Sequence, residues 1–211
     1  MRDTLKKSDI TRQKILDAAE SEFSAVGLYG ARVDSIAERA GVNKRMIYAH
    51  FGSKEQLYIT VLTLVYNRMA EADESLLGSS LSLEDMVRRI IVMYFDFLTA
   101  NPTFVRMLMW ENLNSAAYLR ASGAGLSKGR SLKMLSDTLH RGIENGAFRS
   151  DLDVESAILS INMFCFSYFS NIHTMSYLMQ KELDNPAAIK RYAEYVTDMI
   201  LKYLVVKQHS N

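Results

Sequence analysis

The chain has 211 residues, 48% of them apolar, which is enough to bury a sizeable core in one domain or two. Its formal net charge is only +1, so the whole-chain balance does not mark it as a polyanion binder, and any nucleic-acid surface must come from how the charges are arranged. The single cysteine, Cys165, excludes an intrachain disulfide and a cysteine-built metal site. No uninterrupted apolar run nears the ~20 residues of a membrane span. The charged start "MRDTLKKSDITRQK" leads into no signal-peptide core. A soluble, cytoplasmic protein without a membrane partner is expected.

Two prolines, no long alternating strand pattern and an abundance of Leu, Ala, Met, Glu, Lys and Arg predict an all-α chain. The first helix should run from Asp9 to Val26, with Ile15, Leu16, Ala19, Phe23 and Val26 on one apolar stripe and Gly27 as its stop. A short second helix covers Val33 to Ala40, and Gly41 turns the chain. Asn43 sits where an N-cap is wanted, so a third helix spans Lys44 to Phe51. Ser53 caps a fourth helix that continues to Ser75. Residues 83 to 100 carry an apolar arc wide enough for burial between neighbours. Pro102 opens another helix as a first-turn proline. The stretch "ASGAGLSKG" (121–129) reads as a mobile loop before a helix that ends near Asn145. The last two helices, Asp153 to Met179 and Pro186 to Lys207, are the longest.

Helices two and three, separated by the Gly41 turn, form a helix-turn-helix whose second helix is suited to the major groove. Ile36, Val42, Ile47 and Phe51 are expected to pack under the turn against Phe23 and Val26. Lys44, Arg45, Met46 and Ala49 then face base edges from a helix start capped by Asn43. Tyr48, His50 and Lys54 flank them toward phosphates. Thr11 and Arg32, at the starts of helices one and two, can bind further phosphates with the free helix-start N–H groups. Residues 1 to 55 hold ten Lys and Arg against eight Asp and Glu, so shared placement rather than excess makes this face basic.

The segment "TRQKILDAAESEFSAVGLYGARVDSIAERAGVNKRMIYAHFGSKEQLY" (11–58) resembles the DNA-binding domain of the TetR/AcrR family of one-component regulators. It contains the IA..AGV, IYxHF and SKExL elements of that family. The resemblance implies a homodimeric, ligand-responsive transcription factor, usually a repressor, acting on double-stranded operator DNA. It implies a three-helix reading domain over residues 1–53 and a larger ligand-binding and dimerisation domain over 54–211, joined by the helix at 54–75. Two positions depart from the family pattern. Ala31 and Arg32 stand where many members place a capping Ser or Thr, and Arg45 replaces a common Gly. Arg45 adds a long bidentate donor suited to guanine O6 and N7.

An enzyme is the competing class, but no catalytic constellation emerges. "GAGLSKG" lacks phosphate-loop spacing and a preceding strand. Asp137 and His140 share a helix face as half of a metal site without its other half. No cofactor and no metal are expected. The region after residue 53 holds ten of the twelve methionines. Flexible Met and aromatic side chains at helical spacing are first of all core, yet they also suit a cavity for an apolar or aromatic effector. Met93, Phe97, Phe104, Met107 and Trp110 are candidates for its lining, with Met134, Phe164 and Tyr168. Arg106 and Arg141 could each fork onto an effector carboxylate or bridge internally to Glu111 or Glu144. For the dimer, Ile158, Ile161, Cys165 and Ile172 form one stripe, and Tyr192, Val196, Met199, Tyr203 and Val206 another. Two such helices from each copy would make a four-helix interface.

Overall fold

The computed structural model describes residues 7–74, 81–122 and 129–205, and among them regular structure is helical. The helices are α1 (Lys7–Gly30), α2 (Val33–Ala40), α3 (Lys44–Phe51), α4 (Lys54–Glu74), α5 (Leu83–Ala100), α6 (Pro102–Leu113), α7 (Ala117–Ala121), α8 (Gly129–Glu144), α9 (Val154–Met179) and α10 (Pro186–Leu204). Capping chemistry fixes many of the boundaries. Side-chain oxygens of Asn43, Ser82, Asp153 and Asn185 accept from the backbone N–H two or three residues on, each cap contributing about 1 kcal/mol. Ser53 does the same for α4 through the N–H of Gln56. Gly41 takes the left-handed conformation (φ 66°) that lets the Val42 N–H return to the Ala37 carbonyl and close α2. Residues 123–128 of the expected loop, and Val206, lie outside the described residues.

The chain forms two compact units, residues 1–68 with 102–126 and residues 69–101 with 127–211. In the first, α1 packs on α2 and α6, α2 on α3, and α6 on α7. Ile15, Ala19, Phe23, Ile36, Ile47 and Leu57 are fully buried there. Gly27 does interrupt α1 (φ 69°, ψ 178°), but helical geometry resumes to Gly30. The indole of Trp110 occupies the space beside Gly27, where a Cβ would stand 2.8 Å from the ring. Its N–H donates to the Ser24 carbonyl. This corrects the place given to Val26, which is exposed. The inward face at this end of α1 passes through Ser24, Gly27 and Leu28 instead.

Three polar ties reinforce this unit. The Glu20 carboxylate on α1 takes both guanidinium nitrogens of Arg68 on α4 (2.8 and 2.6 Å) and the hydroxyl of Thr103 on α6. The Tyr58 hydroxyl donates to the buried Glu111 carboxylate (2.9 Å), whose other oxygen accepts from the Leu119 N–H. Tyr118 packs edge-on against Tyr58 and shares a hydroxyl contact with Tyr29; the Tyr29 contact pushes the Tyr118 phenol up to about 12. Helix α7 is unanticipated by the sequence. It follows two left-handed residues that are not glycine, Ser115 (φ 55°) and Ala116 (φ 56°). The Glu111 carboxylate and the Tyr118 contacts hold that costly backbone in place.

In the second unit α5 is the central helix, packed on α8, α9 and α10. Val87, Ile90, Ile91, Tyr94, Phe95 and Leu98 are buried around much of its circumference, as its wide apolar arc predicts. Helix α10 stops at Leu204 rather than Lys207 because Val205 turns extended and pairs with Phe148 in an isolated antiparallel bridge. Phe148 is buried against Gly142 of α8, where an added Cβ would overlap the ring.

Burial raises the Glu20 carboxyl, but the hydrogen bonds from Arg68 and Thr103 outweigh it and hold the group below its ordinary value of 4.5. Its contribution to stability is therefore present above pH 4.5 and lost as the pH falls through the lowered folded value. Glu20→Gln should lower the melting temperature at pH 7, with the gap to wild type narrowing below pH 4.5; a gap independent of pH would show that the carboxylate charge is not the cause. Gly142→Ala should cost about 1–3 kcal/mol through overpacking against Phe148, read as a lower denaturant midpoint despite alanine's better helix propensity.

Candidate nucleic-acid interface and apolar cavities

Helix α3 presents two different faces. Ile47 and Phe51, one turn apart, are buried beneath it. Arg45, Met46, Tyr48 and Ala49 are exposed, and Arg45, Met46 and Ala49 share the outward side. The Asn43 side chain, expected at the DNA face, accepts from the Arg45 N–H (2.9 Å) and so fixes the helix start. Val42 is half-buried rather than core. The basic residues divide into free and engaged ones. Arg45 has no ion pair among the described residues, whereas the Lys44 ammonium lies 2.9 Å from the Asp34 carboxylate. The Lys54 ammonium donates to the Ala31 carbonyl (3.1 Å), bracing the α1–α2 turn against the start of α4. Arg32 is exposed at the N-terminus of α2 and makes no side-chain cap there, as its replacement of Ser or Thr implies. Thr11 and His50 are half-buried at the ends of α1 and α3.

Two residues of this surface were not singled out by sequence reasoning. The Arg12 guanidinium sits over the Phe51 ring, 5.3 Å from its centroid, covering the end of α3 with a second cation. Asp34 is the acidic partner of Lys44. Each makes its contact with a residue on another helix, and no local motif marks them.

The expected effector-lining residues fall in several places. Met93 and Phe97 line a cavity of about 340 Å³ with Ala72, Val92 and Ala100, rimmed by Arg89, Asp96 and Asn101. Phe104, Met107 and Trp110 belong to the first unit, where Phe104 packs edge-on to Tyr66 and Trp110 covers Gly27. Phe164 lines a different cleft of about 270 Å³ between α9 and α10, with Met199 and Tyr203. Tyr168 stacks on Tyr192 (4.5 Å) and donates to the Leu183 carbonyl. Met134 is half-buried, and Arg106 and Arg141 are exposed. The proposed Arg106–Glu111 bridge is not formed, because Glu111 is taken by Tyr58 and Leu119. Asp137 pairs with Lys133, and the His140 ring meets the Ser136 carbonyl.

The expected dimer stripes need correction. Ile161, Cys165, Ile172 and Val196 are buried within the chain itself, because α5 and α8 already cover that side of the last two helices. Burial pushes the Cys165 thiol up to about 12. Ile158, Tyr192 and Met199 are half-buried, and Tyr203 is exposed. The apolar residues left uncovered are Leu159, Met163, Met175, Tyr177, Leu178 and Met179 of α9 and Tyr195 and Tyr203 of α10. Leu159, Met163, Phe166, Ser170, Thr174 and Tyr177 recur at three- and four-residue steps along one face of α9.

A capped, outward-facing α3 set on a three-helix base by a left-handed glycine turn defines the class: a helix-turn-helix regulator with a helical companion unit. Residues 15–61 match the family described as bacterial regulatory proteins, tetR family, and residues 84–200 match the tetracyclin repressor-like C-terminal domain. The chain belongs to the tetR family. It is similar to the HTH-type transcriptional repressor NicS of Pseudomonas putida, 33% identical over 199 residues and covering 94% of each chain. It is also similar to the transcriptional repressor SCO4008 of Streptomyces coelicolor, 33% identical over 105 residues, 50% of this chain and 51% of the relative. Among solved structures, a transcriptional regulator from Streptomyces coelicolor, SCO4942, superposes with a TM-score of 0.70 at 25% identity, over 92% of this chain and 98% of the other. The ketosteroid regulator KstR2 of Mycobacterium tuberculosis shares the fold, with a TM-score of 0.73 at 21% identity over 93% and 95%. Among the described residues no helix is long and apolar enough to cross a membrane.

Asn43→Ala should remove the cap of α3 at a cost of about 1 kcal/mol and weaken duplex binding in proportion. A thermal melt and a duplex titration check this; unchanged values in both would mean that the cap does not set the helix start.

Proposed function

We propose that the protein is a cytoplasmic, homodimeric repressor that binds a palindromic operator and leaves it when a small apolar or aromatic effector binds. The observation that carries the reading is the two-faced α3. Buried Ile47 and Phe51 fix its rotation, and Arg45, without an ion pair among the described residues, stands outward at its capped start. The two relatives above, both transcriptional repressors, support a repressor in sign. The reading head is assigned to residues 1–53, with α4 connecting it to the remainder. The expected phosphate contacts are Thr11, Arg32, Tyr48, His50 and Lys54; of the expected base-facing residues Lys44, Arg45, Met46 and Ala49, Lys44 is paired with Asp34 and the other three are retained. No catalytic role is assigned to any residue.

One helix-turn-helix covers too few base pairs to select an operator alone, so two heads act together across half-sites ~34–36 Å apart. The exposed face of α9, from Leu159 and Met163 to Tyr177, with Tyr195 and Tyr203 of α10, is the proposed two-fold contact. It gives a particle of about 48 kDa, twice 24.0 kDa. The effector is assigned to the cavity of about 340 Å³ at Met93 and Phe97, a volume suited to a small ligand. Helix α4 belongs to the reading unit as far as Arg68, and Ala72 in its last turns lines that cavity. A ligand favouring one position of this turn would therefore bias the reading head by population shift.

Arg45→Ala should cost about 1–3 kcal/mol on the operator and relax preference at one base pair, measured by competition among duplexes. Unchanged affinity and preference would remove α3 from the role of reader. Leu159→Asp with Met163→Asp should convert the dimer to a monomer by light scattering and abolish tight operator binding while the helical circular dichroism persists. A variant that stays dimeric places the contact elsewhere.

A further inference from the structure

Two cations stand side by side at the start of α3, and the structure treats them differently. The Lys44 ammonium lies 2.9 and 3.0 Å from the two carboxylate oxygens of Asp34, in the first turn of α2. The neighbouring Arg45 has no ion pair among the described residues. The Lys44–Asp34 pair is open to solvent, with side chains 45% and 61% exposed, so it adds little to folding. Its consequence lies in the electrostatics of the DNA-facing surface. A lysine paired in this way offers a duplex no net charge, and the carboxylate beside it repels any phosphate that approaches.

Resting on the reading of α3 as the DNA-facing helix, we propose that Asp34 sets sequence specificity by withholding Lys44 from indiscriminate phosphate contact. Phosphate contacts bind every sequence alike, whereas a bidentate arginine at a base edge distinguishes one base pair from another. Neutralising one cation of the pair lowers the sequence-independent part of the affinity and leaves the Arg45 contribution in place. The effect is a discrimination against random DNA obtained without any base contact by Asp34 itself. The hydrogen bond from Lys44 to Asp34 raises the ammonium above its ordinary value; once the carboxylate is removed that shift is lost, but an ordinary lysine amine is still protonated at neutral pH, so Lys44 stays charged and becomes available.

The test measures binding of the full-length wild type, Asp34→Asn, Asp34→Glu, Lys44→Gln and the Asp34→Asn/Lys44→Gln double variant to a random-sequence duplex and to the duplex selected by the wild type, across a salt series. Asp34→Asn should bind random duplex about fivefold more tightly at 0.15 M salt, with a salt slope steeper by about one unit. It should gain less than about twofold on the selected duplex, so that the ratio between the two falls. Asp34→Glu keeps the pair and should keep the wild-type ratio. Lys44→Gln should cost more in the Asp34→Asn background than in the wild type, since only there is the lysine free. Equal gains on both duplexes, an unchanged salt slope, or the same Lys44→Gln cost in both backgrounds would overturn the proposal while leaving α3 as the reader. A wild type that binds no duplex at low salt would overturn both. Thermal melts superimposable with wild type are expected for these exposed positions, and a lowered melt for Asp34→Asn would assign Asp34 to folding instead.

Discussion

The rotation of α3 about its own axis is the constraint on which the rest depends. Ile47 and Phe51 must be buried, one against the base of the turn and the other beneath Arg12, and a helix has no freedom left once two positions a turn apart are fixed. That single hydrophobic requirement decides which side chains reach outward. A shift of one residue, about 100° of rotation, would turn Met46 and His50, or Lys44 and Tyr48, toward the core and Ile47 away from it. The Asn43 cap and the left-handed Gly41 act on the same variable from the other end, by setting where the helix begins.

Buried and part-buried polar contacts join the apolar core in holding this unit. Glu20 gathers Arg68 and Thr103, and Glu111 gathers Tyr58 and the Leu119 N–H. Each contact is directional, and a buried carboxylate that loses a donor is costly. Such ties define one arrangement of α1, α4, α6 and α7 and resist intermediate ones.

The helices were legible because their signals are local. Apolar spacing, the caps at Asn43 and Ser53, Pro102, and the glycine at 41 each act within a few residues, and the observed boundaries follow them. The outward-facing residues of α3 were legible for the same reason, being read from one short helix. Long-range pairing was not legible. Nothing in the sequence sets Trp110 against Gly27, Asp34 against Lys44, or Glu111 beneath Tyr58. Helix α7 escaped because its left-handed entry uses Ser115 and Ala116, not glycine. The dimer stripes were misread at Ile161, Cys165, Ile172 and Val196 because a helix apolar on two sides does not say which side its own chain covers.

The central claim is that α3 reads a two-fold operator, and recovery of bound DNA tests it most directly. A pool of random duplexes is passed over the purified protein at physiological salt, and the retained fragments are sequenced. The account predicts enrichment of an inverted repeat whose half-site centres lie a whole number of helical turns apart, about 10–10.5 base pairs per turn. Retention of fragments with no shared sequence, or enrichment of a single unrepeated site, would contradict it.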